Sequence, residues 1–119
     1  MRLRLRLVSC AKLLTKTTWI LTRVVGGTAI DAKGNVYVSS LDRQEIIKIS
    51  PNGTTSVFIR DERLLWVDAM WVDTQQKLWM PAAQLNRGSP FNNGTSFVKK
   101  PLYVFTIDIG IGPSPVDHA

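Results

Sequence analysis

The chain has 119 residues, 45% of them apolar and 20% charged, with a mean hydropathy of +0.02, six Pro and eight Gly; these values describe one small globular unit rather than a disordered or membrane-spanning chain. The formal charge is +6, but the excess sits at one end: residues 1–25 hold Arg2, Arg4, Arg6, Lys12, Lys16 and Arg23 with no acid, and residues 26–119 balance nine bases against nine acids. A neutral body gives no reason to expect nucleic acid as a partner.

Residues 1–25 read as a basic leader. Met1–Leu7 alternates Arg and Leu with period two, the pattern of a basic strand, a frayed terminus or a short anionic-surface anchor. Leu7-Val8-Ser9-Cys10 has the form of a lipoprotein cleavage box but lacks the apolar run of about 7–15 residues that should precede it. Lys12 and Lys16 likewise interrupt Ala11–Ile20 before a signal-peptide core develops. No segment reaches the ~18–20 apolar residues of a transmembrane helix, so stable membrane insertion is not expected. Cys10 is the only cysteine, which excludes an intrachain disulfide and a cysteine-based zinc site.

The body, 26–119, opens on a hairpin. Thr28-Ala29-Ile30 and Val36-Tyr37-Val38-Ser39 flank the turn Asp31-Ala32-Lys33-Gly34-Asn35, where Gly34 is free to take a positive φ and Asp31 can accept backbone hydrogen bonds. A second hairpin follows, Glu45–Ile49 leading through Ser50-Pro51-Asn52-Gly53-Thr54 into Ser56–Arg60. Asp61–Trp66 is a linker with room for one helical turn. Met70-Trp71-Val72, the turn Asp73–Gln76 and Lys77–Pro81 then repeat the first hairpin 42 residues on, Ile30 matching Val72, Asp31 matching Asp73, Val36 matching Leu78 and Tyr37 matching Trp79. The next strand, Leu102–Asp108, is deferred by an insert over residues 82–100 rich in Asn, Gly and Ser. Loops longer than about 12–15 residues in compact domains are commonly functional or mobile. Four strands in one repeat of this length are the signature of a propeller blade, whose period is about 40–50 residues. The expected fold is therefore all-β: two antiparallel four-stranded-type blades, 26–61 and 67–110, of an incomplete β-propeller. Two blades leave apolar edges uncovered, so self-association through those edges is a further expectation.

Three runs taken in order, Gly27–Ser39, Leu64–Asp73 and Pro81–Arg87, resemble the microbial branch of the major royal jelly protein / yellow protein family, and Gly110–Ala119 is similar to that family's C-terminal end. The resemblance covers roughly residues 24–119. It implies a six-bladed propeller of which this chain is the last third, and a secreted, extracellular or periplasmic ligand-binding protein. Its relatives include amine binders and proteins described as related to dopachrome tautomerase. The implied function is small-molecule binding, of an amine or aromatic compound, by a fragment without a complete catalytic site. The chain's own start carries no signal-peptide pattern, which reads as cytoplasmic. A non-functional truncated reading frame is the third reading.

The candidate site residues are few. The structurally similar gluconolactonase family holds a divalent ion with carboxylates placed before a blade's inner strand, and Asp68 stands in that position here. As a metal-dependent lactone hydrolase the chain would use Asp68 as one ligand for an ion such as calcium, which requires ~6–8 oxygens; as a turn residue Asp68 needs no metal. Otherwise no cofactor is expected. Asn86 and Arg87, at the start of the insert, can present an amide and a guanidinium to a ligand or satisfy loop backbone groups. Trp66, Trp71, Trp79 and Phe91 offer aromatic faces to a cationic ligand, although Trp71 and Trp79, lying within strands, are expected in the core. Asp31 and Asp73 are read as turn residues. His118, the single histidine, supports neither a His-rich metal site nor a nucleophile triad. Gly26-Gly27-Thr28 lacks the Lys-Ser/Thr pair of a phosphate loop. Asn52-Gly53-Thr54 and Asn93-Gly94-Thr95 fit the glycosylation pattern but read first as turns.

Overall fold

A computed structural model describes residues 24–116; Cys10, His118 and nearly all of the basic leader lie outside them. The described residues form two antiparallel sheets. The first runs β1 (Val25–Ile30), β2 (Val36–Ser40), β3 (Glu45–Ile49) and β4 (Thr55–Arg60) in simple meander order, and the second runs β5 (Trp71–Val72), β6 (Lys77–Ala82) and β7 (Tyr103–Asp108). The only helical pieces among them are two 3-10 turns, Leu85–Arg87 and Ser89–Phe91, and no helix is long and apolar enough to cross a membrane.

All-β architecture is as expected, with two corrections. The second sheet has three strands, not four. The described residues show no closed or propeller arrangement. Beyond β7 the chain turns at Gly110, and Gly112-Pro113 runs back to the first hairpin. There the Ala32 N–H donates to the Gly112 carbonyl at 2.9 Å, and Pro113 bridges Asp31. Pro113 and Pro115 have no N–H to offer a sheet ladder, so this stretch does not add a strand beside β7. The second correction is the linker: Asp61–Trp66 makes tight turns instead of a helical one, with the Leu64 N–H on the Asp61 carbonyl (3.0 Å) and the Leu65 N–H on the Arg63 carbonyl (2.8 Å).

The repeated turn is built alike in both copies. The Asp31 N–H donates to the Asn35 carbonyl and the Gly34 N–H to the Asp31 carbonyl; 42 residues later Asp73, Lys77 and Gln76 make the same two bonds. Gly34 has φ +79° and Gln76, in the matching place, +64°, the left-handed residue that follows a type I turn in a three-residue hairpin loop. The carboxylates do the rest. Asp31 accepts from the backbone N–H groups of Lys33 and Asn35 (2.9 and 3.0 Å), from the Asn35 amide (2.8 Å) and from the Tyr37 hydroxyl (3.0 Å). Asp73 accepts from the N–H groups of Gln75 and Lys77 (2.8 and 2.9 Å) and from the Trp79 indole (2.7 Å). A carboxylate satisfying two turn amides and one aromatic donor is thus the element that the two halves of the chain share.

Directly opposed residues share a face. Ala29, Tyr37, Ser39, Ile46 and Ile59 therefore line one face of the first sheet. Against it packs the face of the second sheet carrying Val72, Leu78, Met80, Phe105 and Ile107, joined by Leu64, Val67 and Met70 from the linker region. Tyr37, Ile46, Val67, Val72, Leu78 and Met80 are at most 2% exposed, and such full burial is worth roughly 1.5–3 kcal/mol for a large apolar side chain. A register irregularity in β3–β4 leaves Phe58 unopposed, and its ring meets Tyr37 edge-on at 5.3 Å. Glu45, buried at the start of β3, is held by the Arg60 guanidinium, with Nε at 3.0 Å.

The two sheets touch most closely at Gly26-Gly27. A Cβ on Gly27 would lie 1.5 Å from the Asp68 carbonyl oxygen, and one on Gly26 would lie 2.5 Å from that of Val67. In this gap the buried Ser39 hydroxyl accepts from the Gly27 N–H (2.9 Å) and donates to the Val67 carbonyl (2.7 Å). The Gly-Gly pair is therefore a packing device, not a ligand loop.

Gly27→Ala should destabilise the fold by about 3 kcal/mol or more, since backbone rather than a movable side chain occupies the space. Gly112→Ala, which meets no atom within 4 Å, should stay within about 0.5 kcal/mol of the parent. Equal urea midpoints for the two variants would refute the close-approach account. A second expectation concerns pH. Burial pushes the Asp31 carboxyl up, but the bonds from Asn35, Tyr37 and Lys33 outweigh it and hold the group below its ordinary value. Asp73 is lowered chiefly by the Trp79 indole. Both contribute stability that is complete above the unfolded carboxylate range, about pH 4, and is lost as pH falls through the folded values. Thermal melts from pH 6 to pH 3 should show this decline, shallower in Asp31→Asn.

Candidate functional site

The linker and the insert meet at one end of the second sheet. Past the bridge between Val67 and Ala82, the Ala83 N–H bonds the Trp66 carbonyl (3.2 Å) and the Gln84 N–H the Leu65 carbonyl (3.1 Å). The linker thereby lies along the chain leaving β6, and Arg63 and Leu65 come to face Gln84 and Arg87. On the other side the insert returns to β7 through Lys99, Lys100 and Pro101, the Lys100–Pro101 peptide being cis.

Gln84 holds the two arms together. It is 5% exposed and takes a left-handed backbone, φ 53°. Its side-chain amide donates to the Lys99 carbonyl (3.0 Å) and accepts from the Lys99 N–H (3.1 Å). One side chain thus pairs with the backbone as a neighbouring strand would. Gln84 Oε1, which accepts from the Lys99 N–H, also accepts from Arg87 Nη1 at 3.2 Å, which orients the guanidinium.

Between these arms lies a cavity of about 540 Å3, lined by Arg63, Leu65, Gln84, Arg87, Lys99, Lys100, Pro101, Tyr103 and Phe105. The size falls in the range of about 300–1,000 Å3 typical of small-molecule sites. Tyr103 and Phe105 project from the same face of β7, their rings 5.9 Å apart and 29° from parallel. The Arg63 guanidinium covers the Phe105 ring at 5.6 Å and is bound by Asp61 through Nε (2.8 Å) and Nη2 (2.6 Å). That pair lowers the Asp61 carboxyl to about 2, mainly through the hydrogen bonds from Arg63.

Of the residues singled out from the sequence, Arg87 lines the cavity. Asn86 is exposed beside it, its backbone carbonyl accepting from the Asn92 amide at 2.9 Å. Asp68 is exposed, does not line the cavity, and presents its carbonyl to Gly27. Among the described residues no three His, Cys, Asp or Glu side chains gather as a metal-binding group.

The aromatic residues are distributed otherwise than expected. Trp71 is 41% exposed and stacks on Trp79, the rings 5.3 Å apart and 5° from parallel. Opposed in β5–β6, the two share the face of the sheet that points away from the core, because Val72, Leu78 and Met80 take the inner positions. Their packing is on each other. Trp66 meets Phe91 at 5.6 Å. None of these four lines the cavity; its rings come from Tyr103 and Phe105. Asn93-Gly94 takes positive φ at both residues (51° and 84°), with the Thr95 N–H on the Asn92 carbonyl at 2.9 Å, so the motif forms a turn of the primed type. At Asn52-Gly53-Thr54 the Asn52 side chain accepts from the Thr54 N–H at 2.9 Å.

Sequence reasoning missed Gln84, Lys99, Lys100 and Tyr103. The one available signal was a basic pair followed by proline and an aromatic-alternating strand at the end of a long insert. No protein-family model matches the chain, and comparison with curated proteins finds no match.

Gln84→Ala should free the Lys99 backbone and remove both part-buried hydrogen bonds to it. Hydrogen exchange at the Lys99 amide should accelerate about tenfold or more, while amides of β2 and β3 keep their protection. Unchanged exchange at Lys99 would show that the amide does not hold the loop.

Proposed function

We propose that residues 24–116 are two consecutive blades of a β-propeller of the royal-jelly/yellow kind, and that the chain is a binding module for a small aromatic ligand. The direction of stacking supports the blade reading. Tyr37 and Trp79 are equivalent in the repeat, yet Tyr37 faces the second sheet while Trp79 faces away from the first. The front of one sheet therefore packs on the back of the next, as in an array whose units each contact only their neighbours. The exposed Trp71–Trp79 face is where a further unit would sit.

The ligand reading is carried by one observation: the cavity at the end of the second sheet, with the Tyr103–Phe105 pair as its wall and Gln84 fixing both of its arms. Of the amine and aromatic ligands that the family resemblance implies, an aromatic one suits this lining better, because none of the described residues that line the cavity carries a carboxylate to balance an ammonium group.

Titration of the 119-residue chain with 2-naphthol, a neutral aromatic probe, should give saturable heat. Tyr103→Ala should weaken it roughly three- to tenfold, the worth of an aromatic pair. Trp71→Ala, on the opposite face, should leave it unchanged. Absence of saturable binding, or a loss with Trp71→Ala rather than Tyr103→Ala, would refute the assignment of this cavity.

A further inference from the structure

We infer that the cavity selects an aromatic acid, its carboxylate held by Arg87 and Lys99 and its ring laid on Tyr103. The inference rests on the reading of this cavity as the ligand site and names the ligand's chemical class. Three cations, Arg87, Lys99 and Lys100, contribute to the wall. Among the described residues none of them stands within ion-pair distance of a carboxylate, whereas Arg63, the fourth, is neutralised by Asp61.

Gathering uncompensated like charges around one space costs Coulomb energy that a bound anion relieves, and the relief grows as the ligand displaces water. Gln84 Oε1 engages the Arg87 guanidinium at Nη1 alone, leaving the rest of the guanidinium fork to take a carboxylate side-on. Lys99 is held by the same glutamine through its backbone, so the loop that carries its side chain is anchored at the cavity wall. Leu65, Pro101, Tyr103 and Phe105 dictate the second half of the ligand: a bare inorganic anion would leave this apolar wall wet, whereas a one- or two-ring acid covers it. An aromatic amine of the same size would bring a fourth positive charge among three.

The test compares 2-naphthoate, 2-naphthol, 2-naphthalenemethylamine and inorganic phosphate by calorimetry on the full chain at low salt. The acid should bind about tenfold tighter than the alcohol, the contribution of a charge-assisted hydrogen-bond pair, and the amine should be weakest. Arg87→Gln and Lys99→Gln should each remove most of the acid's advantage. Lys33→Gln, an equal change in net charge on the distant β1–β2 turn, should leave it intact, and thermal melts verify that every variant is folded. An amine that binds as tightly as the acid, or an acid whose affinity ignores both cavity substitutions, overturns the inference. Phosphate that displaces 2-naphthoate at equal concentration also overturns it, since the ring then adds nothing. If 2-naphthol binds at the cavity but the acid gains nothing over it, only the charge selectivity fails; if none of the three aromatic probes binds, the cavity is not the ligand site.

Discussion

The fold turns on a single hydroxyl in a space with no room for a side chain. Ser39 bonds Gly27 of its own sheet and Val67 of the segment leading into the other, and it can do so because Gly26 and Gly27 bring backbone against backbone. Without those contacts the half-buried Gly27 N–H and the buried Val67 carbonyl would lose partners, at a cost of about 1–3 kcal/mol for the buried group. The same bond sets the path of the chain beyond it. Val67 bridges Ala82, which aligns Leu65 and Trp66 with Gln84 and Ala83, and Gln84 in turn pins Lys99. A line of hydrogen bonds thus runs from the tightest point between the sheets to the rim of the cavity, and the rim inherits its geometry from the core.

Electrostatics are arranged on the same plan of local closure. Asp31 and Asp73 are satisfied inside their own turns, Asp61 by Arg63 two residues away, and Glu45 by Arg60 on the adjacent strand. Because these acids are engaged close by, the bases left over at the insert are not drawn into the body's charge balance. A body neutral in total can still present a locally cationic hollow, which a count of charges along the sequence does not disclose.

The sequence makes the turns and strands legible because each is specified within a few residues. Asp31 and Asp73, Gly34 and the alternation of Val36, Tyr37 and Val38 carry their own instructions, and the 42-residue repeat duplicates them. The face on which a residue ends up is set by distant partners, and this is why Trp71 and Trp79 read as core residues although they lie on the outer face. Strand alternation places them together on one side, but which side is covered depends on where the first sheet lies. Gln84 is illegible for a related reason. A glutamine in a loop is ordinary, and its role exists only once an insert of more than a dozen residues folds back to bring Lys99 beside it. Asp68 shows the converse: a resemblance picks it out by position, while in the fold its carbonyl, not its carboxylate, makes the close contact.

The front-to-back packing of the two sheets gives the molecule a direction. An isologous pair about a twofold axis sets one surface against its own copy, and no such axis relates the front of a sheet to its back. Growth by the packing already present in this chain is heterologous. Units added in this mode either curve until the last meets the first or extend without a natural end, and the angle between successive sheets decides which. Gly26 and Gly27 limit how near the first sheet can come to the chain entering the second, so the smallest residues in the structure constrain the spacing of anything built by repeating this packing.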